Sequence, residues 1–151
     1  MSEAAVAPSK VSGHTVLAFD FGIRWIGVAV GDTETGLASP LGMFEAGGGG
    51  RRLAEVESLV REWKPGRLLV GLPLALDGGE HEMTRRARRF ARQLEARFRL
   101  PVDLADERLS SVAAESTLRE IGRGGRKHKQ AVHALAAKII LQSYLDESSG
   151  R

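Results

Sequence analysis

The chain has 151 residues, 42% of them hydrophobic, and a formal net charge of +3, and its sequence pI is near 9.7. This length accommodates one domain with a sizeable core and is too short for two. It contains no cysteine, which excludes disulfides, thiolate catalysis and cysteine-ligated zinc and suits a reducing compartment.

Residues 1–14 mix small, polar and charged types without periodicity, which predicts a flexible N-terminal tail. We expect a single domain over residues 15–146 and a short C-terminal tail over 147–151. The chain has no apolar run of the roughly 18 residues that a membrane span needs, and its first segment lacks the apolar core of a signal peptide. We therefore expect a cytoplasmic protein without membrane contact.

The first elements are strands. Two apolar runs, Val16 to Phe19 and Ile26 to Val30, flank a short segment that holds Gly22, and Leu37 to Phe44 is a third extended candidate. Asp20 interrupts this apolar context. Burying a carboxylate at the end of a core strand is costly unless a cation, hydrogen bonds or a protonation shift compensates it. Asp20 therefore marks a candidate site.

Helices and strands alternate in the rest of the chain. Gly47 to Gly50 is predicted as a linker, and it lacks the Lys-Ser/Thr of a P-loop. The next predicted elements are a helix through Leu53, Val56, Val60 and Trp63, a buried strand over Leu68 to Leu72 and a loop over 74–80. They are followed by a long helix through Ala87, Phe90, Leu94 and Phe98 and a strand over Pro101 to Asp106. The last elements are a helix from Ser110 or Ser111 to Gly122, a basic loop over Arg123 to Lys129, and a helix over Gln130 to Leu145 with His133 in its first turn.

This order predicts an α/β protein with a mixed five-stranded sheet and helices on both faces. Right-handed crossovers place the first and fourth strands side by side. Asp20 and the pair Asp106-Glu107 would then meet at one edge of the sheet, where open sheets of this type place ligands.

Four segments in this order carry a family resemblance. They are Phe19-Asp20-Phe21-Gly22, Ile26-Gly27-Val28-Ala29-Val30, Val70-Gly71-Leu72-Pro73 with Asp77-Gly78, and Asp106-Glu107-Arg108-Leu109-Ser110. From about residue 15 to 145 the chain resembles the YqgF family of pre-16S rRNA nucleases, relatives of Holliday junction resolvases. The resemblance implies a ribonuclease-H-like fold and a hydrolase that uses Mg²⁺ or Mn²⁺, acting in 5'-end processing of pre-16S rRNA during ribosome biogenesis.

The resemblance also implies the site. Asp20 and Glu107 match the first two acidic positions of the family, and His133 aligns with the third, which is usually aspartate; all three are expected to bind metal and act in catalysis. Imidazole in place of carboxylate predicts weaker Mg²⁺ binding and a preference for Mn²⁺. Structural alternatives exist, since Asp20 could cap a turn, Glu107 could pair with Arg108 or Arg24, and His133 could be a hydrogen-bonded histidine at a helix start.

Basic residues predict nucleic-acid contact. Solvated helix faces usually mix charges, whereas the stripe on the long helix carries four arginines without an intervening acid. Aromatic residues make up only 5% of the chain, which favours backbone contact over base stacking. The residues expected to contact phosphates are Arg85, Arg88, Arg89 and Arg92 on the helix and Arg126, Lys127 and Lys129 near the basic loop.

The expected partner is structured RNA, with ribosomal precursor particles as its context, and the sequence does not predict the oligomeric state. Two alternatives remain open: a resolvase of branched DNA, and a non-catalytic nucleic-acid-binding module with a degraded metal site. A third, in which Asp20-Phe21-Gly22 is the first phosphate loop of a sugar kinase or an actin-like ATPase, needs a duplicated domain and a second phosphate loop that 151 residues cannot hold.

Overall fold

The computed structural model describes residues 14–73, 81–106 and 126–149. Within these ranges the chain forms five strands and three helices, numbered here in chain order. They are β1 (Thr15–Phe21), β2 (Trp25–Asp32), β3 (Leu37–Glu45), α1 (Gly49–Trp63), β4 (Arg67–Leu72), α2 (Glu82–Phe98), β5 (Val102–Asp106) and α3 (Arg126–Ser149). The predicted α/β class with a mixed five-stranded sheet is confirmed.

The strands form one sheet in the order β3-β2-β1-β4-β5. β1 pairs antiparallel with β2, and β2 with β3, while β4 pairs in parallel with both β1 and β5. Each parallel pair is joined through a helix, α1 or α2, because a tight turn cannot connect parallel strands. The predicted parallel pairing of the first and fourth strands is confirmed, and β1 lies at the centre of the sheet.

The two faces of the sheet pack against different helices. One face packs against α1 and α2, and there Phe19 and Phe90 meet edge to face with ring centroids 6.0 Å apart. The other face packs against α3, where Ala18 and Leu141 are both buried. Because side chains alternate along a strand, odd-numbered residues of β1 face α1 and α2, and even-numbered ones, including Asp20, face α3.

Two glycines of β2 let α3 lie close to the sheet. A Cβ on Gly31 would lie 2.9 Å from a methyl group of Leu141, at the end of a flexible side chain. A Cβ on Gly27 would lie 2.0 Å from the carbonyl oxygen of His133, which is backbone and cannot rotate away. The missing side chain of Gly27 is therefore what allows the backbone of α3 to approach the sheet at His133.

Hydrogen bonds fix the start of α2. The side chain of His81 accepts from the backbone N–H of Met83, and the hydroxyl of Thr84 accepts from the backbone N–H of His81. The same buried hydroxyl donates to the carbonyl oxygen of Pro73, at the end of β4. This capping arrangement ties α2 to the sheet and so sets the direction of its arginines.

Three predicted boundaries differ from the structure. α1 begins at Gly49, inside the predicted linker, and α3 begins at Arg126, inside the predicted basic loop. Lysine and arginine are good helix formers, which explains the earlier start of α3. His133 consequently lies two turns inside α3, and its predicted position in the first turn is wrong. α3 also continues to Ser149, past the predicted helix end at Leu145.

The predicted loop over 74–80 and the predicted helix from Ser110 or Ser111 to Gly122 lie outside the described residues. Among the helices of the described ranges, none has the combination of length and apolar character that crossing a membrane requires.

Candidate active site

Asp20 lies near the carboxyl end of β1, on the face that packs against α3. Its register partners are Gly27 on β2 and Gly71 on β4. Neither partner has a side chain, so no cross-strand side chain stands beside the carboxylate at these two positions. Asp20 is half-buried, as expected for a polar group at the end of a strand whose other residues form the core.

His133 is brought to Asp20 by the close approach of α3. Gly27 lies opposite Asp20 and directly beneath the backbone of His133, so the three residues form one continuous group. Burial lowers the pKa of His133 below its ordinary value, the Asp20 carboxylate opposes this shift, and Lys129 adds to it. The imidazole is therefore neutral at pH 7, the protonation state that binds a metal ion or accepts a proton.

The end of β5 reaches the same edge of the sheet. Gly71 pairs with Asp20 on one side and with Ala105 on the other, so Ala105 is about 10 Å from Asp20, two interstrand spacings away. Ala105 packs on the α3 face. Asp106, the next residue, belongs by strand alternation to the opposite face from Asp20. Glu107 lies outside the described residues.

Asp20 and His133 offer one carboxylate and one imidazole. Within residues 14–73, 81–106 and 126–149, no group of three or more histidine, cysteine, aspartate or glutamate side chains is placed to hold a metal ion. A carboxylate with a neutral imidazole suits a borderline cation such as Mn²⁺ better than Mg²⁺, which prefers oxygen ligands. The two described donors therefore fit part of a divalent metal site.

The predicted basic residues fall on two helices. Arg85, Arg88, Arg89 and Arg92 all lie on α2, where Arg88 is half-buried and the others are exposed. Their surroundings are less uniformly basic than the sequence indicated, since Glu82 accepts from Arg85 and also from Arg86. Arg126, Lys127 and Lys129 lie in the first turn of α3, which leads toward His133.

Sequence reasoning missed Arg52. This residue of α1 lies with Arg86 and Arg89 around a cavity on the α1 and α2 face of the sheet, beside Phe21 and Gly22. No pattern in the sequence pointed to it, because Arg52 sits among mixed polar and apolar residues of an ordinary amphipathic helix. Only the packing of α1 beside α2 brings the three arginines together.

Comparison with known protein families shows which family this chain belongs to. The profile of the RuvX family, described as "Holliday junction resolvase", matches residues 14–147. The chain belongs to the RuvX family. As a member, this RuvX protein is a nuclease, a hydrolase of phosphodiester bonds.

Curated relatives cover nearly the whole chain. A protein of Methylobacillus flagellatus is 49% identical over 139 residues, which are 92% of this chain and 95% of that protein. One of Nitrosomonas europaea is 48% identical over 140 residues, 93% of this chain and 95% of its own. Both carry the name "Putative pre-16S rRNA nuclease". The resemblance to pre-16S rRNA nucleases seen in the sequence is confirmed.

The structural comparison concerns the fold. Thermus thermophilus RuvC, solved in complex with a Holliday junction substrate, superposes with a TM-score of 0.54 at 17% identity, covering 90% of this RuvX chain and 96% of that one. At this identity the likeness shows the fold alone, and it confirms the predicted ribonuclease-H-like architecture.

Proposed function

We propose that this RuvX protein is a divalent-metal-dependent nuclease that cleaves structured RNA and processes the 5' end of pre-16S rRNA on ribosomal precursor particles in the cytoplasm. The observation that carries the proposal is the group formed by Asp20, Gly27 and His133 at the carboxyl end of β1. The names of the relatives that cover more than nine tenths of this chain support RNA as the substrate.

Asp20, Glu107 and His133 would hold the cation, with Mg²⁺ or Mn²⁺ as the candidates. A bound divalent ion would activate water and neutralise charge on the phosphate oxygens. In the sequence, Glu107 directly follows Asp106, the last residue of β5. Asp20 supplies a carboxylate fixed in the central strand, which limits its movement during the reaction.

Neutral His133 can play either of two parts in this site. It can donate its ring nitrogen lone pair to the cation, or it can take a proton from the attacking water. Both parts need the unprotonated ring that burial favours. The arginines of α2 and the basic first turn of α3 would contact the phosphate backbone on either side of the cleaved bond.

The test compares wild type with Asp20→Asn on a pre-16S RNA fragment and on a four-way DNA junction, each with Mg²⁺, Mn²⁺ or a chelator. We expect metal-dependent cleavage of the RNA and a loss of about a thousandfold in Asp20→Asn, because several kcal/mol of charge stabilisation disappear. Ser58→Ala, on α1 away from the site, is the control and should cleave like wild type.

Cleavage of the DNA junction alone would make the protein a branched-DNA resolvase, in keeping with the description of its family. Binding of RNA without any metal-dependent cleavage would identify a binding module and contradict the proposal.

A further inference from the structure

The cavity beside Arg52 lies near the carboxyl end of β1, on the face of the sheet opposite Asp20. It has a volume of about 240 Å³, and Phe21, Gly22, Arg52, Arg86, Arg89 and Gln93 are among the residues that line it. Three of these side chains carry a positive charge. No acidic side chain is among the lining residues in the described part of the chain, although Glu82 pairs with Arg86 from outside the cavity at 3.2 Å.

Arg52 is held in place within this cavity. Its guanidinium lies over the rings of Phe21 and Phe90, 5.7 Å from each centroid. Contact with two aromatic faces restrains the side chain and removes water from part of it. Burial lowers the pKa of Arg52, and the neighbouring charges of Arg86 and Arg89 lower it further. Repulsion among these three positive charges therefore lowers the stability of the folded protein.

Two polar atoms beside the cavity have no hydrogen-bond partner among the described residues. They are the buried Nε–H of Arg52 and the buried Oε1 of Gln93. A buried polar group without a partner costs about 1–3 kcal/mol, so such groups are uncommon unless a ligand completes them. The unpaired Nε–H of Arg52 fits a ligand that accepts hydrogen bonds and carries negative charge, whereas Oε1 of Gln93 is an acceptor and pairs only with a donor group.

The start of α1 adds to the positive potential. Ala46 and Gly47, which precede the helix, line the same cavity, and the N-cap residue Gly48 supplies no side-chain hydrogen bond to the helix. The first turn of α1 contains no acidic residue. Helix N-termini carry partial positive charge, and an arginine placed there is unfavourable unless an anion balances it.

We propose that the cavity between α1, α2 and the turn after β1 binds a phosphate group through Arg52, Arg86 and Arg89. Guanidinium groups bind phosphate with paired hydrogen bonds, and the cavity offers three of them. Phe21 on its wall directly follows Asp20 in β1. If the protein is a nuclease as proposed above, the phosphate belongs to the substrate backbone close to the cleaved bond; phosphate binding itself does not depend on that function.

The test uses the full chain with nitrogen-15 label and a chelator that prevents cleavage. Inorganic phosphate is titrated while the arginine Nε–H signals are followed by NMR, with chloride at equal ionic strength as the blank. We expect saturable shifts at Arg52 and Arg89 and none at Arg61, an exposed arginine at the far end of α1.

Variants distinguish phosphate binding at this cavity from a nonspecific effect of the protein's positive charge. Arg52→Met keeps the aliphatic stem over the rings and should weaken phosphate binding at least about tenfold, since a charged, paired donor is lost. Arg89→Gln, at an exposed position, repeats the test where folding is not at risk. Arg61→Met removes the same charge from the same helix as Arg52 and should change the affinity less than twofold.

A short RNA then competes with phosphate to identify the source of the group. Displacement of phosphate by RNA assigns the cavity to the nucleic-acid backbone, whereas phosphate binding that RNA does not displace assigns it to a free phosphate compound. No saturable shift at Arg52 with either probe, or equal losses in Arg52→Met and Arg61→Met, would overturn the proposal. Asp20→Asn should bind phosphate like wild type even if no nuclease activity is found.

Discussion

At the carboxyl end of β1, the two faces of the sheet carry sites suited to ions of opposite charge. On the α3 face, Asp20 lies with a neutral His133, an arrangement that suits a cation. On the α1 and α2 face, arginines surround two phenylalanine rings, an arrangement that suits an anion. Asp20 and Phe21 are consecutive residues of β1, so strand alternation alone separates the two environments. The nuclease proposed above would use both kinds of site, one for the metal ion and one for the phosphate chain.

The largest expected effect comes from placing a side chain between β2 and the backbone of His133. In Gly27→Ala, the new methyl group meets backbone, so α3 must move away, and we expect a loss of about 3 kcal/mol or more in the free energy of unfolding, the upper end of overpacking costs. Cleavage should fall sharply, because the imidazole leaves Asp20, while phosphate binding at the arginine cavity should persist. Urea denaturation and the phosphate titration measure the two results.

Gly31→Ala is the matched control for this change. It adds the same methyl group on the same face of β2, but its two nearest neighbours are flexible leucine side chains, and the nearest backbone atom, the carbonyl oxygen of Leu37, lies 3.1 Å away rather than 2.0 Å. We therefore expect a loss of only about 1 kcal/mol. Equal losses in the two variants would show that the approach of α3 at His133 is not special.

A smaller effect is expected from changing the donor atom that His133 offers to a metal ion. His133→Asp adds a carboxylate beside Asp20, and we expect Mg²⁺-supported cleavage to rise about tenfold relative to Mn²⁺-supported cleavage, which corresponds to roughly 1.4 kcal/mol. His128→Asp makes the same charge change five residues earlier on α3 and serves as the control. The same ratio in wild type and His133→Asp would argue against His133 as a ligand.

The smallest effect is on stability against pH. The folded protein holds the pKa of His133 below the value of about 6.5 that the unfolded chain has. The unfolded state therefore binds more protons as the pH falls through 6.5, so this contribution to stability is complete above that pH and is lost below it. Between pH 8 and pH 5.5, wild type should lose more stability than His133→Gln, as urea denaturation would measure. A steeper loss in His133→Gln would contradict the assigned direction.

The sequence predicted the sheet well because its signals are local. The apolar runs of Val16 to Phe19, Ile26 to Val30 and Leu68 to Leu72 specify strands, and the connection lengths specify which strands are parallel. The start of α3 was less predictable, since arginine and lysine next to glycine suit a loop and a helix turn alike. The expected pairing of Asp20 with Glu107 stays a prediction.

The arginine cavity could not be predicted for a different reason. Arg52, Arg89 and Gln93 come from two helices, and their proximity depends on how those helices pack over Phe21. The role of Gly27 was also hidden. The position of Gly27 in a strand is evident from the sequence, but the backbone that packs closely against it is that of His133, more than a hundred residues later in the chain.

The central position of β1 has a consequence for local opening. β1 pairs with β2 along its whole length and with β4 as far as Asp20, so fraying of an outer strand cannot release Asp20. Amide hydrogen exchange in this strand should proceed only through unfolding of the whole domain. The Asp20 and His133 group and the arginine cavity would then form and unfold together, as parts of a single cooperative unit.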